Sequence, residues 1–325
     1  MTSTPPSPDL PPPAFTPGDL PAQRWSGEGL ELPPGTLLAH EEAALTALYR
    51  ELESVYREWL GNREVPDWEA LGAGVRSFAR PPLSDLLDHF SRSTRERESG
   101  LSPLVRRALH DLRGGAFFAL RLHAELLEEE APEPDQVETG IFLARDQAKV
   151  IRSLVPSVDP DGYERDRTER PHGMRELVDK WQGFAFHQPG GAVTVRVLEG
   201  WRGDLAARCL EAAALDRVVY NLVNNAARFA AGGEVVLQVD RASVAAARFT
   251  VSNGLDAEQT DWLSRKVGGD AGALFLGGET RGGSGVGMSS GASIVARAWG
   301  LLEARDALEA GAVGARHENG TFTTW

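Results

Sequence analysis

Hydrophobic positions fall into helical stripes over the first half of the chain and into strand-like runs only later. Over residues 37–60 the apolar side chains Leu45, Leu48, Leu52, Val55, Tyr56 and Trp59 recur at helical spacing and make one broad face. A break at 62–66 leads to a short helical stretch at 68–71, and Pro81-Pro82 introduces another over 83–90. From Leu101 the spacing becomes stricter. Leu101, Val105, Ala108, Leu112, Gly115, Ala119, Leu122 and Leu126 alternate by four and three, and after an interruption at 131–134 the pattern resumes with Val137, Ile141, Ala144, Ala148, Ile151 and Val155. This predicts a helical hairpin. One hairpin leaves its apolar seam half exposed, so two copies are expected to pair into a four-helix bundle, which predicts a homodimer. Further on, 216–229 carries Val218, Leu222, Ala226 and Phe229 on one helical stripe, and 193–197, 234–239 and 248–251 read as strands.

Composition narrows the class. The 325 residues suffice for one to three domains with a sizeable core. A net charge of -13 argues against nucleic acid or an anionic membrane as the main partner. The single cysteine, Cys209, leaves no partner for an intramolecular disulfide and suits a reducing compartment. No run approaches the roughly 20 apolar residues of a membrane span, and no signal peptide opens the chain, so a cytoplasmic protein is expected. Residues 1–36 hold half of the prolines and are expected to form a disordered arm.

The candidate chemistry starts at Asn221 and Asn225, four residues apart on one face of the 216–229 helix. Asn is a mediocre helix former, so a helix that keeps both is expected to use them on a polar partner such as a hydrated metal or a phosphate. Downstream, Gly283, Gly285 and Gly287 form a G-x-G-x-G loop that runs into a helical stretch, which aims backbone N–H groups and a helix N-terminus at phosphate. Together these two segments resemble the ATP-binding domain shared by sensor histidine kinases, DNA gyrase, a heat-shock chaperone family and the mismatch-repair ATPases. Upstream, Leu109-His110-Asp111-Leu112-Arg113-Gly114 resembles the phosphoacceptor box of two-component histidine kinases. By helical counting His110 points away from the seam, and His123 falls near it as a core residue.

The resemblance covers about 100–325 and implies an α+β fold: a dimerisation and histidine-phosphotransfer hairpin at 100–158, then an α/β sandwich ATP-binding domain at 170–325. Residues 37–99 are left as a helical segment that is either an input module or a packing collar. By resemblance, Asn225 would hold Mg²⁺, Asn221 would support metal or phosphates, and Arg228 stands where the family has a basic residue near the phosphates. Phe275 lies where the family has an aromatic lid residue, within a span, 257–283, that reads as a mobile lid. Residues 320–322 resemble the closing strand. The implied activity is autophosphorylation of His110 from ATP, with Asp111 orienting or deprotonating the ring. The phosphoryl group would then pass to the receiver domain of a response regulator.

Departures from the family pattern set up the alternatives. Its first glycine box, D-x-G-x-G, is degenerate here: Asn253 stands at the aspartate with Leu255 and Ala257 where glycines belong, or Gly254 takes the first glycine and Ser252 the aspartate. Asn accepts from an adenine amino group more weakly than a carboxylate does. A histidine phosphotransferase with a decayed nucleotide domain, or a regulatory binding module of the same ATPase superfamily, therefore stands beside the kinase reading. Gly114-Gly115 within the predicted helix costs on the order of 1 kcal/mol per residue relative to Ala, so a bend or a close approach is expected there. Phe117 lies two turns beyond His110 on the same face, flanked by Arg113 and Arg121, and is expected to be a docking anchor for the response regulator. The rival expectation is that the N-terminal helices or the nucleotide domain cover it.

Overall fold

The computed structural model describes residues 29–129, 132–188, 191–243, 246–268, 270–277 and 285–325. Its class is mixed α+β. The helical layer comprises α1 (Ala39–Gly61), α2 (Trp68–Arg76), α3 (Leu83–Arg97), α4 (Pro103–Arg113), α5 (Gly115–Glu129), α6 (Pro134–Leu154) and α7 (Pro160–Asp166). The remainder contains β1 (Glu169–Gly173), α8 (Met174–Trp181), β2 (Ala185–Gln188), β3 (Gly191–Glu199), β4 (Asp204–Arg208), α9 (Cys209–Arg228), β5 (Glu234–Ser243) and β6 (Ala246–Gly254). It continues with α10 (Ala257–Val267), α11 (Gly287–Ala298), α12 (Ala304–Glu309), β7 (Ala315–Glu318) and β8 (Thr321–Thr324).

The main sheet runs β2-β3-β5-β6-β8-β7, antiparallel except for the parallel β3–β5 pair, and β1 and β4 form a small antiparallel pair apart from it. Val193, Val195, Val235, Leu237 and Val239 alternate along their strands and are buried, which places them on one face. That face packs on α8 and α9. Trp181 of α8 meets Tyr220 of α9 edge-on, with ring centroids 4.9 Å apart, and Phe184 and Phe186 extend the same aromatic cluster.

The hairpin departs from expectation in two ways. First, the helix expected across 101–126 is broken. α4 ends at Gly114, and α5 restarts at Gly115 with φ 54°, a left-handed conformation that a side chain would strain. The Gly115 carbonyl accepts a hydrogen bond from Asn224 Nδ2 at 3.1 Å, so the break is where α9 approaches the hairpin. Second, the seam is covered by the same chain. Val137, Ile141, Ala144, Ala148 and Ile151 are buried, and α6 packs on α1, α2, α4, α5 and α9. The premise that a lone hairpin exposes half its seam therefore fails here, and apolar burial does not demand a second copy.

The helices of 37–99 form a layer packed over α5 and α6. Its edge reaches further upstream than the expected boundary of the arm at residue 36: Leu30 and Leu32 are buried, and the Leu32 amide donates to the Leu154 carbonyl at 2.8 Å. The rest of the proline-rich arm, 1–28, lies outside the described residues. No helix among the described residues is long and apolar enough to cross a membrane.

Buried ions fasten α6 to the sheet domain. Lys180 Nζ of α8 lies 2.6 Å from Asp146 Oδ2 of α6 and 2.5 Å from Asp216 Oδ1 of α9, and Tyr220 donates to Asp146 at 3.1 Å. Arg145 adds a contact of 2.9 Å to the other Asp146 oxygen. Burial pushes all these charges toward neutrality. At Asp146 the attraction of Lys180, Arg145 and Lys149 more than offsets that push, and its pKa is lowered. At Asp216 burial and repulsion from Asp146 win, and its pKa is raised.

Candidate functional site

α9 carries the site. Its buried stripe, with Val218, Val219, Leu222, Val223 and Ala226, seats the helix between sheet and hairpin. The faces left over present Arg217, Asn221, Asn225 and Arg228 toward α4 and a cleft. The cleft lies among α9, the end of β6, α10 and the N-terminus of α11. His110, Asn225, Arg228, Asn253, Gly285 and Gly287 all line it, so the histidine, the second asparagine and the described part of the glycine loop are brought together within one chain.

His110 is less exposed than helical counting implies: its side chain is 22% accessible and forms part of the cleft wall. A Cβ on Gly287 would come 3.3 Å from His110 Cε1 and 3.3 Å from Asn221 Oδ1, so a side chain there would press both groups back by a few tenths of an ångström. His110 Nδ1 lies 3.1 Å from Asp111 Oδ1. Asp111 is fully buried and receives three further donors: Arg217 through Nε at 2.8 Å and Nη2 at 2.7 Å, Ser290 Oγ at 2.7 Å, and Asn221 Nδ2 at 3.2 Å. Burial alone would raise its pKa. The Arg217 charge, with the His110 and Ser290 hydrogen bonds, outweighs burial and holds the carboxyl well below the usual carboxylate range. An ionised Asp111 only accepts, so His110 carries its proton on Nδ1 and keeps a lone pair on Nε2.

Several expectations are corrected. Asn221 does not line the cleft: its Nδ2 donates to buried Asp111 at 3.2 Å and braces α9 against α4. Phe275 is buried in a 3-10 turn at Ala271–Leu276 and does not line the cleft, whereas Leu274 of that turn and Trp262 of α10 do. Much of the span expected to be a lid is regular structure, α10 and this turn, with α10 started by a capping box between Asp256 and Gln259. Gly283 lies outside the described residues. Phe117 is buried beside α3 rather than displayed for docking. Arg113 is drawn in with it, bonding Glu98 at 3.0 Å and Thr94 at 3.3 Å. Arg121 stays at the surface on Asp88 and Glu125, and the exposed aromatic is Phe118. His123 is buried as expected, its Nε2 2.6 Å from the Gln136 carbonyl.

Other residues keep their places. Asn225 lines the cleft and makes no side-chain hydrogen bond to any described residue, and Arg228 is exposed with its guanidinium 5.5 Å from the Phe229 ring. Asn253 donates Nδ2 to the Phe229 and Gly254 carbonyls at 3.2 and 3.1 Å, which leaves its Oδ1 as the acceptor for the cleft. Gly254 closes β6 between Asn253 and Leu255, the two residues that face the cleft. α11 begins at Gly287 without a side-chain cap, so its first N–H groups are available to an anion. Sequence reasoning missed Arg217 and Ser290. Arg217 had a signal, standing one helical turn before Asn221 on the same face of α9.

No protein-family model matches this chain, and no curated protein matches it in sequence. Its likeness to the histidine-kinase pattern rests on its own residues.

Proposed function

We propose that this protein is a histidine kinase that transfers the γ-phosphoryl group of ATP to His110. The observation that carries the reading is the position of His110 in the wall of the cleft that Asn225, Arg228 and the uncapped N-terminus of α11 also line. The lining suits a magnesium triphosphate: backbone N–H groups at Gly287 and the guanidinium of Arg228 can donate to phosphate, and the carboxamide oxygen of Asn225 can face the cation. Mg²⁺ held by Asn225 and the phosphates would neutralise charge on the transferring group. Asn253 Oδ1 offers an acceptor for the adenine amino group.

In the reaction the His110 Nε2 lone pair forms the bond to phosphorus while the bond to the β,γ-bridging oxygen breaks, and ADP leaves with that electron pair. The ring then carries both the phosphoryl group on Nε2 and the proton on Nδ1. Asp111 stabilises that positive ring, and Arg217, Ser290 and Asn221 hold Asp111 in place. Passage to an aspartate of a receiver domain is the second half of the proposal; Phe117 has no part in it. Its test is incubation with γ-labelled ATP and Mg²⁺. The expected product is label stable to base and labile to acid, absent in His110→Gln. Label retained at the native level in that variant would falsify the assignment.

The degenerate first glycine box favours a second reading, a phosphotransferase that receives its phosphoryl group from another protein. It keeps the same His110 chemistry. Calorimetry separates the two: the kinase requires ATP binding that Asn225→Ala abolishes, and no binding at millimolar ATP leaves the phosphotransferase.

A further inference from the structure

A second cavity, of about 470 Å³, lies on the other side of Asp111, between α4, α11 and α12, and shares no lining residue with the cleft of His110. Arg217 spans the two regions. Its Nε and Nη2 are committed to Asp111, while Nη1 is buried with no hydrogen-bond partner among the described residues. A buried guanidinium N–H left unpaired costs on the order of 1–3 kcal/mol, so a group placed to satisfy it is strongly favoured. Arg107, Arg297 and Arg305 line the same cavity, against a single carboxylate there, Glu303. Arg107 has no ion-pair partner among the described residues. Burial, together with repulsion from Arg106 and Arg297, lowers its pKa. This is uncompensated positive charge in a chain of net charge -13. The rest of the wall includes Leu30 and Leu276, and the volume falls in the small-molecule range of about 300–1,000 Å³, so it exceeds the needs of a bare ion.

We propose that this cavity binds a small phosphate monoester, its phosphate on Arg217 and Arg107 and its apolar body against Leu30 and Leu276. A phosphate supplies the acceptor that Arg217 Nη1 lacks and neutralises the repulsion among the arginines. Because the same guanidinium holds Asp111, and Asp111 holds His110, occupancy reaches the imidazole through two side chains. The site is therefore regulatory with respect to His110, whether or not His110 is phosphorylated from ATP.

Calorimetric titration of the full chain with phenyl phosphate tests this. Saturable binding at one site is expected, weakened at least tenfold by Arg107→Gln and unchanged by Asn225→Ala. Without ligand, Arg107→Gln is expected to hold or raise Tm, since it relieves repulsion, and to abolish the Tm increase that phenyl phosphate brings. In the Asn225→Ala protein, the His110 ring resonances are expected to move on titration. No saturable binding, or binding that Asn225→Ala removes and Arg107→Gln spares, overturns the site. A drop of several degrees in Tm for unliganded Arg107→Gln marks a structural arginine and overturns it equally. Static His110 resonances at saturation overturn the coupling.

Discussion

Two buried carboxylates of the helical layer reach across to α9, and they do different jobs with similar means. Asp146 is locked against Lys180, Arg145 and Tyr220, and its cluster includes a second carboxylate, Asp216, that the same Lys180 must serve. Asp111 is held by one arginine and three neutral or weakly basic donors, and one of those donors is an imidazole at the edge of a cleft. In the first cluster every charge is spent on its neighbours, which joins two layers and leaves nothing for a ligand. In the second, the carboxylate's charge fixes the tautomer of His110, whose ring forms part of the cleft wall. A buried ion network becomes a candidate site when one member of it still has an atom to offer.

The largest effect is expected on the closed cluster. Lys180→Met leaves Asp146 and Asp216 buried with too little compensation, and should cost about 3–5 kcal/mol in urea unfolding. A cost below about 1 kcal/mol would show that water reaches the cluster and that it is no fastener.

Asp111→Asn probes the open network. With the carboxylate replaced by an amide, the positive ring loses its counter-charge, and labelling of His110 should slow by roughly 10²-fold. The circular dichroism spectrum should be unchanged. Labelling at the native rate in a folded variant would reduce Asp111 to a brace.

Acid unfolding separates Asp216 by sign from the other two buried carboxylates. The pKa of Asp111 is depressed in the fold, so its contribution is present above the unfolded value of about 3.9 and is lost as pH falls toward the folded value. Asp146 acts in the same sense. The pKa of Asp216 is raised, so its contribution is present below about 3.9 and is lost as pH rises through its folded value, against that of Asp146. Between pH 5 and 3 the unfolding free energy should therefore fall with pH less steeply in Asp111→Asn, by on the order of 2 kcal/mol over the whole transition. In Asp216→Asn it should fall more steeply than in the native chain.

The smallest effect is at the helix break. Gly115→Ala places a side chain at φ 54° and should cost about 1 kcal/mol, read as a lower Tm. No loss would mean that α4 and α5 can rejoin without disturbing the approach of Asn224.

Periodicity alone was enough to recover α1, α6 and α9 and the strands β3, β5 and β6, because a helical stripe and a two-residue alternation are local properties of the chain. Asn225 and Gly287 were legible as two motifs of one candidate site, whereas the placing of His110 in the wall of the same cleft came from the tertiary structure. Tertiary structure alone decided what covers what. The seam at Val137, Ile141 and Ala144 reads the same whether a second copy or α1 and α2 bury it, since apolar burial has no direction. Phe117 is buried, and the helix break beside it rests on a positive φ at Gly115, which a glycine permits and does not announce. The partners of Asp111 were the least visible. Arg217 and Ser290 stand 106 and 179 residues away, and a carboxylate beside a histidine carries no local mark of what will neutralise it.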